Sequence, residues 1–249
     1  MPFNIIKESI EYCTVNYLFF LFVLIVLFLC HLVLGLLGSE FIESLVINVL
    51  MAGYGLNVAQ DIINGGKRLP KLMPKQIIVY GVKASIIFLF YVAIQTSIML
   101  FVCGFLSFPI LELKEFFLNH SELLQLLSSH DEVIFVIFVL SSLIVLYVTT
   151  FFFEISLARC ADGGSLKSAF NFPRIKHVID VIGWRDYALE YTKLILSIVI
   201  LTLAMRFIIP VPILDSIIDS ILNFLMFVIQ YMGIGVIYKV YKDSKYIPS

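Results

Sequence analysis

Two stretches of this chain, Ala84–Leu106 and Val133–Phe153, carry no charged side chain from end to end. Helices of that length reach across the ~30 Å of bilayer hydrocarbon, which takes ~20 residues. In lipid the backbone must satisfy its own hydrogen bonds, so such stretches are predicted to be helices rather than loops or open strands. Composition agrees. The 249 residues are 61% hydrophobic and 14% charged, against about half and about a quarter in a soluble domain. A soluble chain of this kind would leave large apolar patches in water.

Four further runs fit the same template. Tyr17–Leu37 is uncharged. Phe41–Gln60 is weaker, with Glu43 near its start and Gly53 and Gly55 midway. Leu189–Ile209 carries Glu190, Lys193 and Arg206, and Ile213–Tyr238 carries Asp215 and Asp219. The expected fold class is all-α: a polytopic bundle of six transmembrane helices in one integral membrane domain, 1–249. The first run is longer than the core of a usual signal peptide and is preceded by a single basic residue, Lys7, so it is expected to remain as a span.

Charge fixes the expected orientation. Of the 17 Lys and Arg, only Lys114 and Arg206 fall in or next to connections that alternation places on the far side. The near side holds Lys7, Lys67, Arg68, Lys71, Lys75, Lys83, Arg159, Lys167, Arg174, Lys176, Arg185, Lys239, Lys242 and Lys245. The far side holds Glu40, Glu43, the acidic stretch Glu112–Glu132 and Asp215–Asp219. The positive-inside rule then puts both termini in the cytoplasm, in a multi-pass protein of the cytoplasmic membrane.

Two near-side passages align without gaps: Ala59-Gln-Asp61-Ile-Ile-Asn64-Gly65-Gly66 and Leu157-Ala-Arg159-Cys-Ala-Asp162-Gly163-Gly164. Gly after Asn or Asp is a natural helix stop, because Gly accepts positive φ at little cost. Met232-Gly233-Ile-Gly235 matches Ala52-Gly53-Tyr54-Gly55 as a partial third copy. The segments Phe3–Tyr12 and Leu166–Gly183 place apolar residues at helical intervals, the second interrupted at Pro173. Each reads as an amphipathic helix on the membrane surface. The chain thus parses into three parallel units (1–60, 67–153 and 165–240), each a surface helix followed by a helical hairpin.

Gly53-Tyr54, Gly65-Gly66, Leu69-Pro70, Gly81-Val-Lys83 and Gly163-Gly164-Ser-Leu166, with Ala169-Phe170 beyond, form a pattern over most of the chain. It resembles the archaeal membrane proteins grouped as the family of unknown function DUF4013, frequent in methanogens. More loosely, the rhythm of surface helix and hairpin looks like the membrane domain attached to some glycerophosphodiester phosphodiesterases. The resemblance implies an uncharacterised multi-spanning protein and supplies no catalytic residues.

Ionisable groups within spans are the first candidates for function. Glu43, Glu154, Arg206, Asp215 and Asp219 form that set, with Arg206 in reach of either Asp across the Pro210–Pro212 turn. All lie near span ends, which favours structural ion pairs over a gated path. His31 is expected as a hydrogen-bonded histidine near an interface. Asn48, Asn57, Gln60, Gln95 and Gln230 are expected to bond between helices. Tyr54, Tyr187, Tyr231, Tyr238 and Trp184 are expected to anchor at the interface. The near-side cations Lys67, Arg68, Lys71, Lys167, Arg174 and Lys176 are expected to meet anionic lipid.

Cys13, Cys30, Cys103 and Cys160 share no metal-ligand spacing, and a disulfide framework is not expected. No HExxH, Walker A, GxSxG or paired CxxC occurs. His120 and His130 with their acidic neighbours read better as an outer helix than as a metal site. No catalytic residue, metal or cofactor is expected, and no nucleic acid partner. The expected function is a non-enzymatic scaffold or accessory protein whose partners are membrane lipids, a second copy or another membrane protein. The competing readings are a transporter or channel and, more remotely, a lipid-modifying enzyme using Asp162, His177, Asp180 and Asp186.

Overall fold

The computed structural model describes residues 2–23, 25–26, 40–105, 132–163, 165–208 and 212–244. Side chains are described over a slightly smaller set, which excludes 2–6, 40–44, 105, 132–135, 204–208 and 212–222. Among the described residues all regular structure is helical. The elements are α1 (Pro2–Thr14), α2 (Glu40–Ile63), α3 (Pro74–Phe105), α4 (Glu132–Ala161), α5 (Leu166–Ala169), α6 (Phe172–Ile182), α7 (Trp184–Ile208) and α8 (Pro212–Ser244). Residues 17–23 are also helical. Four helices contain stretches long and apolar enough to cross a membrane: Leu45–Ile63, Pro74–Gly104, Val136–Ala161 and Asn223–Ser244. They correspond to the second, third, fourth and sixth expected spans. The first, Tyr17–Leu37, falls largely outside the described residues, and the fifth runs along α7.

The chain divides into two compact units, Met1–Ile87 with Glu154–Ser249, and Phe88–Phe153. In the larger unit α8 is the hub, packing on α1, α2, α6 and α7 and most extensively on α2. The two helices run parallel, because Gly55 meets Tyr231, Ala59 meets Gly235 and Asn64 meets Lys242 in step. Leu56, Val58 and Ala59 of α2 and Val228 and Ile234 of α8 are all nearly inaccessible, and Ile229 of α8 packs with Leu194 of α7. On the other side α7 runs antiparallel to α8, with Leu194 against Gly233 and Thr202 Oγ1 3.3 Å from Met226 Sδ.

The glycines of α2 explain its close packing. Residues two apart point about 200° apart on a helix, so Gly53 and Gly55 serve different neighbours. A Cβ on Gly53 would strike the Ile77 carbonyl of α3, and one on Gly81 would strike the Val49 carbonyl in return. A Cβ on Gly55 would enter the Tyr231 and Phe227 rings of α8.

Both Gly turns form as expected. Gly65 and Gly163 stop α2 and α4 at φ of 83° and 80°. After α2 the Gly66 amide donates to the Asp61 carbonyl at 2.7 Å and Gly65 to Ile62 at 3.0 Å, closing the helix end. The surface segment after the second turn breaks earlier than its periodicity predicts. α5 ends at Ala169 and α6 starts at Phe172, with Pro173 in the first turn, where its missing N–H costs nothing. Asn171 caps α6, its side chain accepting from the Arg174 amide at 3.1 Å. α6 buries Ile175, Val178 and Ile179 and exposes Arg174, Lys176 and His177.

In the smaller unit the α3 and α4 portions run antiparallel. The Tyr91 hydroxyl donates to the Phe152 carbonyl at 3.4 Å, and Cys103 packs with Phe138, Met99 and Val139. Most other apolar side chains there are exposed, including Leu89, Phe101, Leu140 and Ile144.

Candidate functional site

Four segments of the larger unit converge where α4, α5, α6 and α8 come together. The convergence leaves a cavity of about 650 Å³ lined largely by polar side chains. α4 contributes Arg159, and its terminal turn contributes Asp162. Ser165 and Ser168 come from around α5, Arg174, His177 and Val178 from α6, and Tyr238, Tyr241 and Lys242 from α8.

The charges are unevenly matched. Lys242 Nζ donates to Asp162 Oδ1 at 2.8 Å and to Asn64 Oδ1 at 2.9 Å. That contact engages the cavity's carboxylate and bridges both Gly turns, since Asn64 and Asp162 are equivalent positions of the aligned passages. Arg159 is 9% exposed, and its Nη1 donates at 3.4 Å to the Asn171 carbonyl that precedes α6. Among the described residues neither Arg159 nor Arg174 has a carboxylate partner, and the two are near enough to repel one another. The Tyr241 ring stands edge-on to His177 at 6.3 Å and lies 5.3 Å from Tyr238, forming an aromatic wall.

The other expected residues are dispersed. Lys67, Arg68, Lys71, Lys167 and Lys176 are exposed, and of the expected lipid-contacting cations Arg174 lines the cavity. Glu154 is buried rather than at a span end, eight residues into the buried close of α4 counted back from Ala161. Gln230 Nε2 donates to its Oε1 at 3.0 Å, leaving Oε2 without a partner. Asn57 makes no hydrogen bond through either side-chain atom, contrary to its expected interhelical role. Gln60 does bond between helices, accepting from Gln76 and Tyr80 at 3.2 Å each. The side chains of Glu43, Arg206, Asp215 and Asp219 lie outside the described residues, as do His31, Cys30, His120 and His130. Lys193 and Glu190 pair at 2.5 Å.

The tyrosines depart from expectation. Tyr54, Tyr187, Tyr231 and Tyr238 are all buried, whereas Trp184 is exposed and donates to Asp180 at 2.6 Å. Burial of a phenol requires a partner for its hydroxyl, and Tyr54 finds one in the Pro70 carbonyl at 3.3 Å. Tyr12 of α1 donates to Asp61 Oδ2 at 2.8 Å. Burial, with the adjacent Asp61, pushes its phenol well above the usual range, and burial pushes the neighbouring Cys13 thiol up to about 12. Cys13, Cys103 and Cys160 are free and buried.

Sequence reasoning missed Arg159, Tyr241 and Lys242 as site residues. The aligned Gly turns were the available signal, since they place Arg159 and Asp162 beside one another on the near side. Nothing local indicates that α8 ends against them.

A second cavity, of about 450 Å³ and mostly apolar, lies within the smaller unit between Gln95–Cys103 and Phe138–Leu146. Among the described residues no group of three or more His, Cys, Asp or Glu is placed to hold a metal ion.

No curated protein and no solved structure matches the chain. One family model does, over residues 36–213, its description being "Protein of unknown function (DUF4013)". That match takes in α2 through α7 and more than half of the chain, so the protein belongs to the DUF4013 family.

Proposed function

We propose that this protein is a non-enzymatic integral membrane protein whose inner face engages lipid, acting as a scaffold or accessory component. It has six spans arranged as three parallel units, with both termini in the cytoplasm. The observation that carries the reading is an inverse relation between apolarity and burial. The most apolar stretches, in α3 and α4, are each 17% buried within the chain, whereas the less apolar ones in α2 and α8 are 50% and 56% buried. In water the most apolar helix goes innermost. Lipid reverses the order, because apolar surface facing acyl chains needs no cover from protein. The unit Phe88–Phe153 is therefore read as largely lipid-facing. The parallel run of α2 and α8 and the matching φ of Gly65 and Gly163 support the repeat.

Transport is the second reading. The unpartnered Glu154 Oε2 and Asn57 amide, both within membrane-length helices, favour it. Against it, of Asn48, Asn57, Gln95 and Gln230 only Gln95 lines either of the two cavities described, and that cavity is mostly apolar.

Thiol labelling of single cysteines tests the orientation. In a cysteine-free background, cysteines replacing the exposed Lys71 and Lys167 are expected to react from the cytoplasmic side alone. Labelling of either from outside overturns the topology.

A further inference from the structure

We infer that the cavity between α4, α6 and α8 is a binding site for a phosphate group, carried on a lipid headgroup or free in solution. The inference rests on the membrane reading only for the lipid source. The site itself follows from charge and geometry.

Arg159, Arg174 and Lys242 face a single lining carboxylate, Asp162, and Lys242 already holds it at 2.8 Å. Two guanidiniums line the same cavity with no carboxylate for either among the described residues. Holding like charges side by side is unfavourable, the more so where one of them is nearly buried. An anion between them turns that repulsion into attraction. Guanidinium suits the task, since its fixed fork of donors matches phosphate oxygens two at a time. Arg159 donates to the Asn171 carbonyl through Nη1 and also bonds with Tyr238, which leaves part of its five-donor fork for a ligand.

The rest of the lining fits a phosphate with something attached. Ser165 offers a hydroxyl and His177 a ring nitrogen, while the Ser168 hydroxyl donates to the Ser165 carbonyl at 2.7 Å. Tyr238 and Tyr241 form an apolar wall that ends in two phenols. At about 650 Å³ the space lies within the ~300–1,000 Å³ of small-molecule sites. That exceeds what a bare phosphate needs and leaves room for its organic substituent.

Asn171 links the site to the fold. Its carbonyl receives Arg159 while its side chain caps α6, one turn of which carries Arg174 and His177. The two guanidiniums are thus positioned through one residue, and the arrangement does not depend on flexible surface lysines.

Binding to the protein in detergent tests the proposal, with inorganic phosphate alone and short-chain phosphatidic acid as probes and chloride and short-chain diacylglycerol as references. The readout is the ligand-dependent shift in unfolding temperature as a function of concentration. Phosphatidic acid or phosphate is expected to stabilise the protein where the references do not. Stabilisation by both marks a site for the phosphate itself, and stabilisation by phosphatidic acid alone marks a headgroup site. Arg174→Gln, which alters an exposed side chain, is expected to weaken binding roughly tenfold or more, as for loss of a charged hydrogen bond. Arg159→Gln is expected to do at least the same; should it fail to fold, Arg174→Gln carries the test. Lys67→Gln with Arg68→Gln, exposed and not among the lining residues, is expected to change affinity by less than about twofold. The proposal is overturned if neither probe stabilises the protein beyond its reference, or if the Lys67/Arg68 pair matters as much as Arg174. A wrong topology would appear in the labelling experiment while leaving the phosphate arm intact.

Discussion

Ile144 and Ile155 are the same residue type in the same helix, yet the first is 63% exposed and the second 1%. Every residue from Glu154 to Ala161 is buried, whereas Val136, Leu140 and Leu143 of the same α4 are exposed. The buried end carries Glu154, Ser156 and Arg159, and the exposed portion carries no charge from 136 to 153. Polar groups therefore collect where protein covers them, and the apolar portion does without cover. Along α4, burial follows close packing and the cover its charged groups need, and hydrophobicity alone does not set it.

That contrast can be broken at α4 itself. Ile155→Ala is expected to cost ~2–5 kcal/mol, as for a large-to-small change in a packed core. Ile144→Ala is expected to stay within ~0.5 kcal/mol in detergent or lipid. Chemical or thermal unfolding of the two variants reads the difference, and equal costs would remove the distinction between the two portions.

Glycines sharpen it next. Gly53→Ala places a methyl on the Ile77 backbone, which no rotamer change can relieve, and is expected to cost ~1–3 kcal/mol or more. Gly104→Ala, with nothing within 4 Å of the new carbon, is expected to be neutral or to stabilise by up to ~1 kcal/mol. A smaller effect is expected at Lys242, which is about a quarter exposed. Lys242→Ala removes its bonds to Asn64 and Asp162 and is expected to cost about 1 kcal/mol, with less loss at high salt.

The smallest effect concerns Cys13. Its thiol is held up to about 12, against an ordinary value near ~8.5, so folding favours the neutral form. Its contribution is complete below ~8.5 and is lost as pH rises through about 12. At pH 8 alkylation of Cys13 in the folded protein is therefore expected to be far slower than in urea. Mass spectrometry of timed samples measures this, and equal rates would place Cys13 outside the core.

Helix content and the membrane-length stretches were legible because uncharged runs and Gly stops are local properties. The turns at Gly65 and Gly163 came out as read for the same reason. The tyrosines did not, because an amphipathic ring suits an interface and a satisfied interior equally well. Only packing separated Tyr54 and Tyr231, which are inside, from Trp184, which is outside. The cavity was the least legible feature. Arg174 carries a near-side charge visible in the sequence, but Arg159 meets it through the Asn171 carbonyl, and Lys242 is brought to it by the packing of α8 on α2 and α6. Separations of that length leave no periodicity to detect.

The double hydrogen bond of Lys242 has a consequence for how the chain is made. Asn64 and Asp162 leave the ribosome long before the residue that joins them, so each Gly turn must wait with its side chain unclaimed. The order of synthesis thus delays closure of this face until α8 is in place. A chain stopped short of Lys242 would carry two finished turns and no fastening between them.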